Sequence, residues 1–344
     1  MSLIFAAKSI ITMNPSQARA THMAVRDGHI LAVGDASHIA QWRQAWGDMP
    51  IDESLSDKIL MPGFVEGHTH MMEGLFWNYD YVGYYDREGP DGNVIAGLKS
   101  IDDVVARLSQ INQQRDDKTQ PLIAWGFDPI FFDGRRMNTA DLDKVSTDCP
   151  VIVLHASLHI LNTNSLVIEQ AGVTPGDNNE AVRRDENGHP SGEFLGQLGM
   201  YMAMRTTGLD LLGAAGSAQT LINFANVARQ TGVTTATDLA NPVPVEAVQT
   251  MRDTVSQDSF PMRLVVAFQG GGADPQAGIA RIQELQSQQT DKLRFSLVKF
   301  VADGSIQGFS ARLKFPGYFN GADNGLWYIE PDRLKSLISA YHAA

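Results

Sequence analysis

The stretch Ile59-Leu60-Met61-Pro62-Gly63-Phe64-Val65-Glu66-Gly67-His68-Thr69-His70 passes from apolar to polar residues as it ends. It reads as a short buried strand with a polar C-terminal tip. On a strand, residues i and i+2 project from one face. His68 and His70 therefore point the same way at the strand's end, where two imidazoles can meet one metal ion. A His-x-His pair alone is a weak signal. Its place directly after a Pro62-Gly63-Phe64-Val65 strand strengthens it.

Downstream of residue 217 the pattern becomes regular. A helix from Ser217 to Gln230 is stopped by Gly232, and Val233-Thr234-Thr235-Ala236-Thr237 follows as a strand. Helices near Pro244–Ser256 and Pro275–Gln288 lead into strands at Met262–Phe268 and Phe295–Val301, and another helix opens at Pro331. Helices alternating with β-branched strands imply βα units on a parallel sheet, an α/β fold. The strands end in His68 and His70, Asp238, Gly270-Gly271-Gly272 and Asp303-Gly304. A (β/α) barrel carries its chemistry at such strand ends.

Upstream, the first sixty residues read as short strands, beginning with Leu3–Ala7. Asp27-Gly28 between Met23-Ala24-Val25 and Ile30–Val33 marks a two-residue hairpin. Between the first barrel strand and residue 217 lie Pro121–Trp125 and Pro150–Leu154, which look like strands, and a turn at Gly188–Gly192. Residues 99–198 are read as an inserted α/β unit.

With 39 acidic and 27 basic residues the formal charge is −12, which argues against a nucleic-acid partner. Cys149 is the only cysteine, so neither an intrachain disulfide nor a thiolate zinc cluster can form. No apolar run approaches the roughly 20 residues of a membrane span, and Lys8 breaks the opening apolar run too early for a signal peptide. A cytoplasmic protein acting on a small molecule, with no membrane partner, is expected. A homo-oligomer is compatible with a chain of this kind.

The run Met61–His70 resembles the metal signature of the amidohydrolase superfamily, and specifically its amidohydrolase-3 group, which includes N-substituted formamide deformylase. Trp125-Gly126-Phe127-Asp128, His159 with Asn164-Ser165, Gly232-Val233-Thr234-Thr235 and Lys299-Phe300-Val301-Ala302-Asp303-Gly304-Ser305 are similar to the same group. The resemblance implies a metal-dependent (β/α)8 TIM barrel, a small β-sandwich domain built partly from residues 1–58, and an insert after strand one. The barrel would take residues 59–98 and 199–344. It also implies one or two Zn²⁺ ions, or another divalent metal, held by His68, His70 and a carbamylated Lys299. The proton-shuttling aspartate of the last barrel strand and the histidines of strands five and six are not found in the sequence. Four βα units cannot close an eight-stranded barrel, so a fragment, or completion by another chain, is expected.

Lys299 shares a strand face with Phe295, Leu297 and Val301 by simple alternation, which predicts an apolar setting. Its ammonium would then shift its pKa, find a partner or reach water. Asp128, His155, His159 and Asp303 are candidate substrate-binding residues, and Glu193 a weaker one. His155 and His159, spaced i, i+4, would share a face and either reach substrate or serve as hydrogen-bonded histidines of the insert. Asp128 either lines the pocket or caps a turn. Asp303-Gly304 reads first as a turn. Asp238 is open to being a polar strand end without a task, and the aromatic run Phe76–Tyr85 either lines a pocket or packs barrel against insert.

The activity implied is hydrolysis of a non-peptide C–N bond, in an amide, formamide, carbamate or cyclic amide, by hydroxide generated at the metal. A deaminase of an amino-heterocycle and a catalytically silent binding protein are the alternatives.

Overall fold

Asp27 and Gly28 hold φ of +49° and +78°, the positive pair that a two-residue hairpin needs to match the twist of its strands. A computed structural model describes residues 2–132, 135–176, 179–208, 214–304, 306, 311–319, 321 and 324–344. The chain divides into two compact units, residues 1–65 and 66–344.

In the first unit the hairpin joins β2 (Arg19–Arg26) to β3 (His29–Gly34), and β1 (Ser2–Ile11) lies antiparallel to β2. β4 (Ile51–Leu60) runs parallel to β1, giving the order β3-β2-β1-β4. The helix Ile39–Trp46 lays Trp42 against Ile4, Ala24 and Met49. Among the described residues this unit therefore has one sheet backed by a helix. The two facing sheets of a sandwich are not seen there.

In chain order the following strands are β5 (Phe64–Thr69), β6 (Asp80–Tyr81), β7 (Arg87–Glu88), β8 (Val94–Ile95), β9 (Leu122–Phe127), β10 (Val151–His155), β11 (Ile160–Thr163) and β12 (Val182–Arg184). They are succeeded by β13 (Pro190–Leu195), β14 (Val233–Asn241), β15 (Arg263–Gln269) and β16 (Leu293–Lys299). A six-stranded sheet has the order β12-β13-β11-β10-β9-β6. Every residue of β9 and β10 is buried, as expected for parallel strands covered on both faces. The helix Ile101–Gln114, capped by Ser100 with Asp103 in a capping box, covers one face through Val104 and Leu108. The sheet takes its edge strand from Asp80–Tyr81, ahead of the expected start of the insert at residue 99.

The remaining sheet has the order β16-β15-β14-β5, with β14, β15 and β16 mutually parallel. Helices Ala218–Gln230, Val245–Val255 and Pro275–Gln286 cover one face, packing Leu221, Met251, Val255 and Leu285 on Leu264, Val266, Leu293 and Phe295. The α/β alternation read from the sequence is thus present. No closed barrel forms among the described residues: four strands make an open sheet.

The first strand departs from expectation. Pro62-Gly63 breaks the run into β4 and β5, and β5 is an edge strand whose first five residues are exposed. It is not a buried strand. Among the described residues no helix is long and apolar enough to cross a membrane.

Candidate metal centre

Alternation along β5 brings His68 and His70 together, with ring centroids 5.8 Å apart and planes at 82°. The His68 amide donates to Glu66 Oε1 at 3.0 Å, which ties the strand tip locally. His70 directly follows β5, and its carbonyl accepts from the Glu73 amide at 3.0 Å as the 3-10 helix Met71–Asn78 begins.

His70 Nδ1 lies 3.1 Å from the Leu239 carbonyl of β14. A carbonyl can only accept, so Nδ1 carries a proton, and in the neutral ring it is Nε2 that holds the lone pair. An imidazole held in this way at one nitrogen is oriented to ligate with the other. Two neighbouring imidazoles, one bonded through Nδ1, are donors of the type a divalent ion takes, and they supply two of the three or more ligands such an ion needs.

The neighbouring β14 end carries a buried carboxylate. Asp238, 3% exposed, accepts from the Met71 amide at 2.9 Å and from Asn241 Nδ2 at 2.6 Å. Burial pushes its pKa up, opposed by these two hydrogen bonds and by the proximity of His70. Asn241 Oδ1 in turn accepts from the Val243 amide at 2.7 Å. Ala240 and Val243 hold φ of +56° and +45°, which is costly for residues with a Cβ. His70, Met71, Met72, Ser217, Asp238 and Leu239 border a cavity of about 580 Å³.

Lys299 ends β16 and is half-buried, opposite Gln269 of β15. β16 and β5 are the two edges of the sheet. Three strand spacings separate them, about 14 Å on a flat sheet. The expected shared face of Phe295, Leu297 and Lys299 does not hold. Val265 pairs with Arg294 but Ala267 pairs with Leu297, so β16 carries one extra residue, a bulge. Phe295 and Val298 both pack into the helix-side core, whereas Leu297 is 45% exposed. Lys299 shares its face with Leu297, away from that core. Among the described residues no three His, Cys, Asp or Glu side chains are grouped to hold a metal.

The candidates in the insert lie apart from the histidine pair in their bonding. Asp128 caps the turn Pro129–Phe131 by accepting from the Ile130 amide at 3.1 Å. His155 and His159 do not share a face: β10 ends at His155, β11 begins at Ile160, and Leu158 at φ +56° turns the chain between them. His155 is buried and bonds Asn162 Oδ1 at 2.5 Å, and burial lowers its pKa. His159 is exposed, with Nδ1 2.5 Å from the Ser157 carbonyl. Glu193 is buried between Arg136 and Arg183. Asp303 is not in a turn: it bridges to Trp327 and accepts from the Arg312 amide at 2.8 Å. Ser305 lies outside the described residues.

Of the aromatic run, Phe76, Trp77 and Tyr81 surround Trp125 at centroid distances of 5.0–6.0 Å, which is core packing of the six-stranded sheet. Phe76, Trp77 and Trp125 also line a second cavity of about 290 Å³ with Glu73 and Arg87. Sequence reasoning missed Leu239 and Asn241. Leu239 acts through its carbonyl, which no side-chain pattern announces. Asn241 was findable as an Asn before Pro242 at a strand end, a turn signal.

The model of the amidohydrolase family matches residues 53–343. The Arabidopsis thaliana protein LONG AFTER FAR-RED 3 is 23% identical over 350 residues, which cover 96% of this chain and 55% of the relative. The Bacillus subtilis (strain 168) protein named "Putative amidohydrolase YtcJ" is 23% identical over 354 residues, covering 98% of this chain and 61% of the relative. The chain thus spans a little over half the length of these relatives. A solved metal-dependent hydrolase from Pyrococcus horikoshii OT3 superposes over the whole chain and 63% of its own, with a TM-score of 0.67 at 16% identity. That similarity shows a shared fold. With most of its length matched by the family model, the chain belongs to the amidohydrolase family.

Proposed function

We propose that the protein is a metal-dependent amidohydrolase that hydrolyses a non-peptide C–N bond of a small molecule. The observation that carries this reading is the His70–Leu239 hydrogen bond, which leaves Nε2 of His70 free beside His68. His68 and His70 would hold a zinc ion. Lys299, on the opposite edge of the same sheet, would join them as a carbamate where the sheet curls to bring its two edges together. The carbamate forms when the deprotonated amine adds CO₂ and loses one further proton. When bound, the ion supplies Lewis acidity and a water acidified to a pKa of about 7.

The chain's own residues would orient the substrate. Met71, Met72, Leu239 and Pro242 line the cavity next to His70 and suit an apolar substituent on the acyl or amine side. The carbonyl of Leu239 keeps the His70 ring from rotating. Membership of the family and the fold shared with metal-dependent hydrolases support the assignment.

Amine release from N-substituted formamides and amides, measured with zinc-loaded and chelated protein, tests the reading. Release that stops on chelation and returns with zinc is expected. Ammonia release from aminopurines or aminopyrimidines alone would move the assignment to a deaminase. Absence of turnover in protein that holds zinc would overturn it.

A further inference from the structure

Asp238 stands on the helix-covered side of its sheet. Ala236 pairs with Leu264 and Asp238 with Val266, and Ala236, Leu264 and Val266 all belong to the apolar layer against the helices. A carboxylate in that layer is costly unless hydrogen-bonded. Among the described residues no Lys or Arg pairs with it. Its partners are the Met71 amide and Asn241 Nδ2, one on each oxygen.

These bonds form a pattern with the one described above. Leu239 receives the His70 ring, and its neighbour Asp238 receives the amide of Met71, the neighbour of His70. Two successive residues of β14 thus grip two successive residues at the end of β5. Behind Asp238, Asn241 passes the constraint on to Val243, in the segment where Ala240 and Val243 hold left-handed φ. The orientation of Asn241 is fixed by its neighbours, because the Val243 amide requires Oδ1 and Asp238 requires Nδ2. Released from Asp238, the Met71 backbone could rotate and carry the His70 ring off the Leu239 carbonyl.

We propose that Asp238 is a positioning residue: through Met71 it holds His70 in the single tautomer and orientation that present Nε2 to a metal. The proposal rests on the reading of His70 as a ligand, and its test separates the two. In Asp238→Asn, the new amide NH₂ faces either the Asn241 NH₂ or, if the new side chain turns, the Met71 N–H, and relief by turning Asn241 strips Val243 of its acceptor. The exchange variant Asp238→Asn/Asn241→Asp restores a donor facing an acceptor at each step.

The experiment records the His70 ring tautomer by ¹⁵N-detected NMR on metal-free protein, and zinc affinity by competition with a chelator. The native protein should show Nδ1–H alone. Asp238→Asn should mix tautomers and weaken zinc binding by about 10–100-fold, the scale of lost outer-shell contacts. The exchange variant should recover the single tautomer and zinc affinity to within about threefold.

A native tautomer and unchanged zinc affinity in folded Asp238→Asn would overturn the proposal. So would a folded exchange variant that fails to recover them, and this arm decides the matter if Asp238→Asn does not fold. A tautomer change without zinc binding in the native protein would uphold the positioning role and overturn the ligand reading.

Discussion

His70 donates from Nδ1 to the carbonyl of Leu239 at 3.1 Å, joining the end of β5 to β14 across 169 residues of sequence. An asparagine at position 70 can place its amide nitrogen where Nδ1 stood, but it has nothing at the place of Nε2. His70→Asn should therefore fold with stability within about 1 kcal/mol of the native protein, one hydrogen bond's worth. Its zinc binding should fall by at least 100-fold. Chemical denaturation and metal titration on the same preparation check both halves.

Gly74 sits in the 3-10 helix Met71–Asn78 that follows the histidines. A Cβ there would lie 2.0 Å from the Thr220 carbonyl and 2.8 Å from the Phe224 amide, both backbone atoms of the covering helix. Asn223 Nδ2 also binds the Gly74 carbonyl at 3.2 Å, so the two helices cannot part without losing that bond. Gly74→Ala should cost about 3 kcal/mol or more, at the upper end for overpacking. A thermal midpoint unchanged from the native protein would contradict this close approach.

Glu193 is the buried end of an ion-pair cluster. Burial raises its pKa, but Arg136 and Arg183 outweigh that by hydrogen bonds and charge and hold it below its ordinary 4.5. The stabilisation is complete above that value and is lost as pH falls through the lower folded value. Both arginine side chains are 40–45% exposed, so Glu193→Gln should cost about 2–3 kcal/mol at pH 7, below the range for fully buried pairs. The variant should also show a flatter loss of stability below pH 4.5.

His155 gives a second pH window. Burial is the main cause of its lowered pKa, opposed by the Asn162 bond and by Glu193. The unfolded chain binds this proton first, so stability is complete above the ordinary value of 6.5 and falls as pH drops below it. Denaturation at pH 7.5 and 5.5 should show a loss that shrinks in His155→Leu. The variant's own cost, from the orphaned Asn162 oxygen, should be about 1–3 kcal/mol.

Much of the fold was readable from local chemistry. Asp27-Gly28 specifies its hairpin by backbone conformation, and Ser217, Gly232, Pro275 and Pro331 mark helix ends within a residue or two. The His68–His70 pairing follows from strand alternation. What local pattern could not show is long-range. The bulge in β16 depends on how β15 pairs with it, and it parts Lys299 and Leu297 from Phe295, with which simple alternation had grouped them. The turn at Leu158 separates His155 from His159 although their spacing suggested one face. Asp238 looked idle because its partner, Met71, is 167 residues away.

Metal content is the most direct test of a two-histidine centre. Plasma mass spectrometry on the protein grown with zinc, and on His68→Ala/His70→Ala, should find one to two equivalents in the first and none in the second. Zinc that persists in the double variant, or well-folded native protein that carries none, would contradict the account.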